Sequence, residues 1–304
     1  MKTLSILFFA VLMCNSNTFA QRSSPSKYSG QELLINGFDL TANRINTVHS
    51  RFPLINGTGI TVSLKENKFD TSDIDFKGRY LHVPFAATNI TSHATVMATM
   101  IAGAGNSFYL GKGAAWNANI TSASFVNLLP EPDASYRQYK ISVQNHSYGT
   151  AIENHYGADA AAYDASVINN PFLVHVFSSG NSGNASASTG TYAGLQNFAN
   201  MTGSYKMAKN ILTVGATDSF ANIEVLSSRG PAYDGRIKPE LVAFGQDGSS
   251  GSAALVSGVS LLLQQAYKVL HHDSLPEASL IKAILINSAD DTDVNGPDFL
   301  TGFG

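Results

Sequence analysis

Residues 57–70 read GTGITVSLKENKFD. A Gly-x-Gly turn leads into Ile60–Leu64, a short run with strand character, which stops at a carboxylate, Glu66, and a polar turn. Within the run, Ile60, Val62 and Leu64 alternate with Thr61, Ser63 and Lys65. That alternation is unusual for a central parallel strand covered on both faces, which normally reads as continuously apolar. Lys65 requires either solvent or a carboxylate on its face.

The pattern repeats outward from this stretch. Further strands are predicted at Ile120–Phe125, Ile141–Gln144, Phe172–Phe177 and Ile211–Val214. Helices are predicted at His93–Ala102, Ala158–Asn169, Ser252–Leu270 and Glu277–Ser288. In Ser252–Leu270 the apolar residues Leu255, Val259, Leu262, Leu263 and Ala266 recur at three-to-four spacing, the signature of a helix with one buried face. Strands alternating with helices predict an α/β fold, a parallel β-sheet covered by helices on both faces. In such sheets sites lie beyond the carboxyl ends of the strands. No internal repeat is present. The 304 residues suffice for one large domain.

Composition narrows the function. Apolar residues make up 44% and charged ones 13%, as in a packed globular chain, and the net charge of −3 gives no basic footprint for nucleic acid. The first twenty residues carry Lys2, an apolar run from Leu4 to Met13, and Thr18 and Ala20 at −3 and −1 of a cut before Gln21. These are the parts of a secretory signal peptide in order, so residues 1–20 are read as a signal and the chain as secreted, periplasmic or extracellular, with no membrane association after cleavage. Cys14, the only cysteine, lies inside that signal. Met13 before it is too large for lipoprotein cleavage. Once cut, the chain has no thiol nucleophile and no disulfide. Residues 21–50 read as a linker or degenerate pro-region, and 51–304 as the catalytic domain, with its C-terminal end incomplete.

Three segments carry chemistry. SHATVMATMIAGAG (92–105) sets His93 at the start of a helix behind Ser92, a residue able to cap it, and a helix N-terminus favours the neutral imidazole a general base needs. GQDGSSGSAALVSG (245–258) is a small-residue turn running into a helix, where a serine hydroxyl and helix amides meet. VFSSGNSGN (176–184) ends a strand in a glycine-flanked Asn181, whose amide can donate to an oxyanion. Taken singly, each is also an ordinary capped helix, Gly/Ser loop or Asn turn. There is no His-Glu-x-x-His metal motif and no phosphate-binding loop. The adjacent His271 and His272 sit near a helix end, where interaction with the helix C-terminus accounts for them.

Taken together, these segments resemble the subtilisin-like serine peptidases, the subtilases, over roughly residues 51–304. SHATVMATMIAG resembles that family's His-Gly-Thr-His-Val-Ala-Gly-Thr segment. NHSYG (145–149) resembles its Asn-Met-Ser-Leu-Gly cleft wall, and SSGNSG (178–183) its Ala-Ala-Gly-Asn. DGSSGSAALVSG resembles Gly-Thr-Ser-Met-Ala-Ala-Pro-His-Val-Ala-Gly, and LSSRGPAYDGRIKPELVAFG (226–245) matches a further family stretch closely. The resemblance implies a serine endopeptidase acting on polypeptides, with Ser250 as nucleophile, His93 as base and Asn181 as oxyanion donor. Ser147, Tyr148 and Gly149, with Ser178, Ser179 and Gly180, would line the substrate cleft. Ser249 and Ser252 are rival hydroxyls, but the register set by Val256-Ser257-Gly258 favours Ser250. The family often binds structural calcium; no calcium site, other metal site or cofactor is identifiable here.

Several positions depart from the family. Val96, Ser249, Gly251, Ala254 and Leu255 replace its His, Thr, Met, Pro and His. The largest departure is in the opening stretch, where the family's catalytic Asp falls on Glu66, and its following Thr-Gly on Asn67 and Lys68. Glu66 is therefore expected to orient His93 through a stem one methylene longer. Asp70 lies roughly 13 Å further along an extended chain and matches a different family Asp. Two other functions stay open: a catalytically impaired pseudoenzyme or binding module, and an acyl hydrolase or transferase. The Gly-x-Ser-x-Gly elbow of esterases is absent.

Overall fold

The computed structural model describes residues 39–304. The predicted signal peptide and the first part of the predicted linker lie outside the described residues.

Among the described residues, six strands form one parallel sheet: β1 (Thr61–Glu66), β2 (Asn119–Ser124), β3 (Ile141–His146), β4 (Val174–Ser178), β5 (Leu212–Thr217) and β6 (Leu241–Phe244). Their order is β2-β1-β3-β4-β5-β6. The chain leaves β1 in one direction to form β2 and returns past it to form β3. The carboxyl ends of β1 and β3 therefore flank a topological switch point, where such sheets open a crevice.

Among the described residues, six α-helices complete the fold: α1 (Ile45–Arg51), α2 (Ser92–Ala102), α3 (Asp133–Gln138), α4 (Ala158–Asn169), α5 (Ser249–Leu270) and α6 (Ala278–Ser288). The long helix α5 crosses β3, β4, β5 and β6 and packs on α2. Ile45 of α1 and Ile281 of α6 join the same aliphatic core, with Val62, Leu64, Val143, Val176 and Val214 supplied by the strands. Each such fully buried Val, Leu or Ile stabilises the fold by about 1.5–3 kcal/mol. Gly258 lets α5 approach closely, since a Cβ there would lie 2.6 Å from Ala114 Cβ. Helix α5 is long and apolar enough to cross a membrane by length and composition, and in this fold it is mostly buried in the core.

The opposite face, covered by α3 and α4, explains Lys65. Its ammonium is fully buried and donates to Glu131 Oε1 at 2.5 Å and to the Leu129 carbonyl at 2.7 Å. Glu131 Oε2 in turn accepts from Tyr136 and from Gln144 of β3. Farther along this face His146 Nε2 meets His175 Nδ1 at 3.0 Å, and His175 Nε2 meets Ser166 Oγ at 3.2 Å. The strands thus alternate between an aliphatic face and a polar one, both sealed from water.

Two elements depart from the sequence reading. Residues 39–50 are not a loose linker: they contain most of α1, Ile45 is 1% exposed, and Asn43 exchanges two hydrogen bonds with the backbone of Phe244. Thr91, not Ser92, caps α2; its Oγ1 accepts from the Ala94 amide at 3.3 Å, and Ser92 is the first helical residue.

Candidate active site

The carboxyl ends of the strands gather the predicted residues. Glu66 is the last residue of β1, Ser147 follows β3, and Ser178 ends β4. After β6 the chain turns through Gly245–Gly248 into α5, whose first two residues are Ser249 and Ser250. Asp247 and Gly248 make this turn with φ of 68° and 61°. A Cβ on Gly248 would stand 2.9 Å from Asn181 Oδ1, so glycine allows the amide to approach.

His93, in the first turn of α2, reaches back to β1. Its Nδ1 lies 2.6 Å from Glu66 Oε1. An ionised carboxylate only accepts, so the proton in this bond belongs to Nδ1, and Nε2 is the ring nitrogen that Glu66 leaves free. Glu66 is nearly buried, and its other oxygen, Oε2, is buried with no hydrogen-bond partner. Asp70 takes no part in this contact; its Oδ1 accepts from Ser72, and its amide donates to Thr95.

A second carboxylate faces His93. Asp247 Oδ2 lies 3.3 Å from Nε2. Burial works against the charged imidazole, but the Glu66 hydrogen bond, the Glu66 charge and the Asp247 charge outweigh it and hold the His93 pKa above its ordinary value. The helix N-terminus, expected to favour a neutral ring, does not decide the matter. Asp247, at the His93 ring, is a participant that the sequence reading missed. Its signal was a carboxylate three residues before the nucleophile position, in a turn whose path only the fold reveals.

Ser250 is 9% exposed and opens onto the cleft. Its Oγ lies 3.4 Å from the Ser147 carbonyl, while the Ser147 hydroxyl donates to the Ser250 carbonyl at 2.8 Å. No hydrogen bond joins Ser250 Oγ to His93 in this structure; such contacts commonly tighten only when substrate binds. At the first turn of α5 the Ser250 amide has no acceptor within the helix. Beside it, the Ser249 amide and hydroxyl donate to Asn181 Oδ1 at 3.2 and 2.9 Å, and the Gly180 amide donates to Ser249 Oγ at 3.1 Å. With its oxygen held, Asn181 has its Nδ2 donors left for a ligand in the cleft.

The cleft has a volume of about 300 Å³ and is lined by Ser147, Tyr148, Gly149, Ser178, Gly180 and Asn181 together with Ser249 and Ser250. Thr150, Ser182 and Thr202, which the sequence reading did not name, line it as well. Ser179, predicted on the cleft, is not on it. It is fully buried, with its amide donating to the Val214 carbonyl of β5 and its hydroxyl to the Gly180 carbonyl. Ser252 also leaves the contest for nucleophile, since its hydroxyl is buried against the Ala243 and Gly248 carbonyls. A larger hollow of about 480 Å³ lies between β6, α5 and α6 and contains none of the predicted catalytic residues. Among the described residues no three His, Asp or Glu side chains converge as a metal would require, so no residue is assigned to calcium.

The subtilase family model matches residues 57–304. The chain belongs to the subtilase family. Among solved structures, the prenylagaramide maturation protease PagA superposes with a TM-score of 0.63 at 19% identity, covering 85% of this chain and 93% of that one. The protease domain of PatA, solved in a mutant form, gives a TM-score of 0.57 at 19% identity, covering 76% and 88%. At these identities the likeness is one of fold. In this subtilase the parallel sheet with its helices is the family's serine-protease architecture, and peptide substrates are what the family implies.

Proposed function

We propose that this subtilase is an exported serine endopeptidase whose triad is Ser250, His93 and Glu66. The observation that carries the reading is the 2.6 Å contact between Glu66 Oε1 and His93 Nδ1, at the edge of the sheet where Ser250 and Asn181 also lie. The longer stem of Glu66 spans the gap that the family closes with Asp.

In the acylation step Ser250 Oγ attacks the peptide carbonyl while His93 Nε2 takes its proton. Glu66 keeps the proton of His93 on Nδ1 and stabilises the imidazolium. The Ser250 amide and Asn181 Nδ2 bind the oxyanion. His93 then gives its proton to the departing amine, and water releases the acyl group by the reverse sequence. Before the attack, Ser250 must turn from the Ser147 carbonyl to His93, and Asp247 must leave Nε2. Export rests on the N-terminal pattern alone, and secretion of the full-length chain with cleavage before Gln21 is its test.

One observation favours a second reading, an impaired enzyme that retains binding: His93 Nε2 is engaged by Asp247 rather than by Ser250. Fluorophosphonate labelling and casein hydrolysis separate the two. Labelling at Ser250, lost in Ser250→Ala together with casein cleavage, supports the peptidase. A folded chain that neither labels nor cleaves would leave the binding function.

A further inference from the structure

Asp247 stands outside the triad, yet it is 3.3 Å from the nitrogen of His93 that handles the travelling proton. That nitrogen receives the serine proton and then delivers it to the departing amine. A side chain facing it therefore borders the leaving-group side of the scissile bond. Asp247 is 46% exposed at the side chain, and among the described residues no lysine or arginine pairs with it. Among the described residues its only ion-pair partner is the imidazole it occupies.

We propose that Asp247 is a specificity-determining residue that selects substrates with Lys or Arg immediately after the scissile bond. The inference rests on the hydrolase reading above. A cationic side chain at that position offers Asp247 a permanent charge in place of an ionisable ring. Asp247 moves to the cation, and Nε2 becomes available to Ser250 Oγ. An uncharged residue leaves the carboxylate on His93, and an acidic one meets like charge. The same ion pair thus binds the substrate and frees the base. Arginine matches best, because its planar fork presents two donors to a carboxylate.

Heat-denatured casein digested with the wild-type chain provides the first test, since each new N-terminus read by mass spectrometry is the residue that followed the cut. Lys and Arg are expected there above their abundance. A casein-derived peptide pair with Arg or citrulline at that position isolates the charge. The wild-type ratio of kcat/KM is expected to be about five- to tenfold, the worth of a partly exposed charged contact, and to fall to about one in Asp247→Asn. A wild-type ratio near one, or a ratio that persists in Asp247→Asn, overturns the assignment. Binding of the same pair to Ser250→Ala, followed by fluorescence anisotropy, needs no turnover. If no peptide is cut but Ser250→Ala prefers Arg, and Ser250→Ala/Asp247→Asn does not, Asp247 is a cation-binding contact, while the hydrolase reading fails and with it selection at a scissile bond. Cleavage without preference has the opposite meaning: the hydrolase reading stands and the assignment fails. Equal or absent binding with no cleavage overturns both.

Discussion

Glu66 Oε1 meets His93 Nδ1 at 2.6 Å although the two residues are separated by 26 others and belong to different elements, the end of β1 and the first turn of α2. The backbone of Glu66 is pinned on one side by its register with Ser124 of β2. It cannot advance to serve a shorter side chain. Glu66→Asp is therefore expected to lower kcat by about 10²-fold, the cost of a misplacement near 1 Å. Glu66→Gln is expected to lower it by about 10⁴-fold, the loss seen when the orienter permits the wrong tautomer. KM should change little in either, and steady-state kinetics on one peptide substrate decides the matter.

The two carboxylates around His93 set the pH dependence. His93 must be neutral to accept a proton, and its pKa lies above the free imidazole value in spite of burial, because Glu66 and Asp247 favour the charged ring. Activity is expected to rise with pH through a midpoint above 6.5. Asp247→Asn removes one of these charges, so the acidic limb of the kcat/KM profile should move to lower pH. The groups that bear on this titration are the two carboxylates facing the ring, and an unmoved limb would show that Asp247 does not act on it.

In the proposed oxyanion site Asn181 is a donor, and Ser249 positions it. Asn181→Ala removes a donor and is expected to cost about 10²–10³-fold in kcat. Ser249→Ala removes only the hydroxyl that bridges the Gly180 amide and Asn181 Oδ1. A loss of about tenfold in kcat, with fluorophosphonate labelling of Ser250 retained, is expected for a positioning contact.

Lys206 offers a prediction about stability. It is fully buried behind the cleft, donates to Thr202 Oγ1 at 3.0 Å, and burial lowers its pKa to about 7. Between pH 7 and its unfolded value near 10.4 the unfolded chain holds a proton that the folded chain has lost, so this residue makes stability rise with pH across that window. Lys206→Met should raise the Tm at pH 6–7, by an amount on the order of a few kcal/mol in stability, and the gain should shrink toward pH 10. Calorimetry of wild type and variant at both ends of the window measures it.

Much of this architecture was legible in the sequence. Helix α4 was predicted with both of its ends, and five of the six strands overlap their predicted runs, because period and punctuation are local properties. Strand β6 went unread: its four residues sit inside the stretch whose value lay in its match to a family. Helix α1 was hidden because Ile45 is buried by the rest of the fold rather than by its own neighbours. Lys65 was puzzling for the same reason, its partner Glu131 lying 66 positions away. Glu66, His93, Asn181 and Ser250, which the fold gathers at the carboxyl ends of the strands, could be named as candidates from spacing and resemblance. The engagement of His93 by Asp247 could not, since it depends on two consecutive left-handed residues at the mouth of α5.

The sealed polar face of the sheet also bears on how the chain finds its native pairing. In the observed register Ser63 lies beside Gln144, and Gln144 Nε2 donates to Ser63 Oγ and to the carboxylate that holds Lys65. Sliding β1 by a single residue would exchange its two faces. The ammonium would then enter the aliphatic layer under α5, while Glu131 would remain buried without a cation, a penalty of about 3–5 kcal/mol for breaking such a pair. Mispaired sheets are thereby disfavoured by charge rather than by shape, and the central strand that ends at Glu66 has one alignment that delivers its carboxylate to His93.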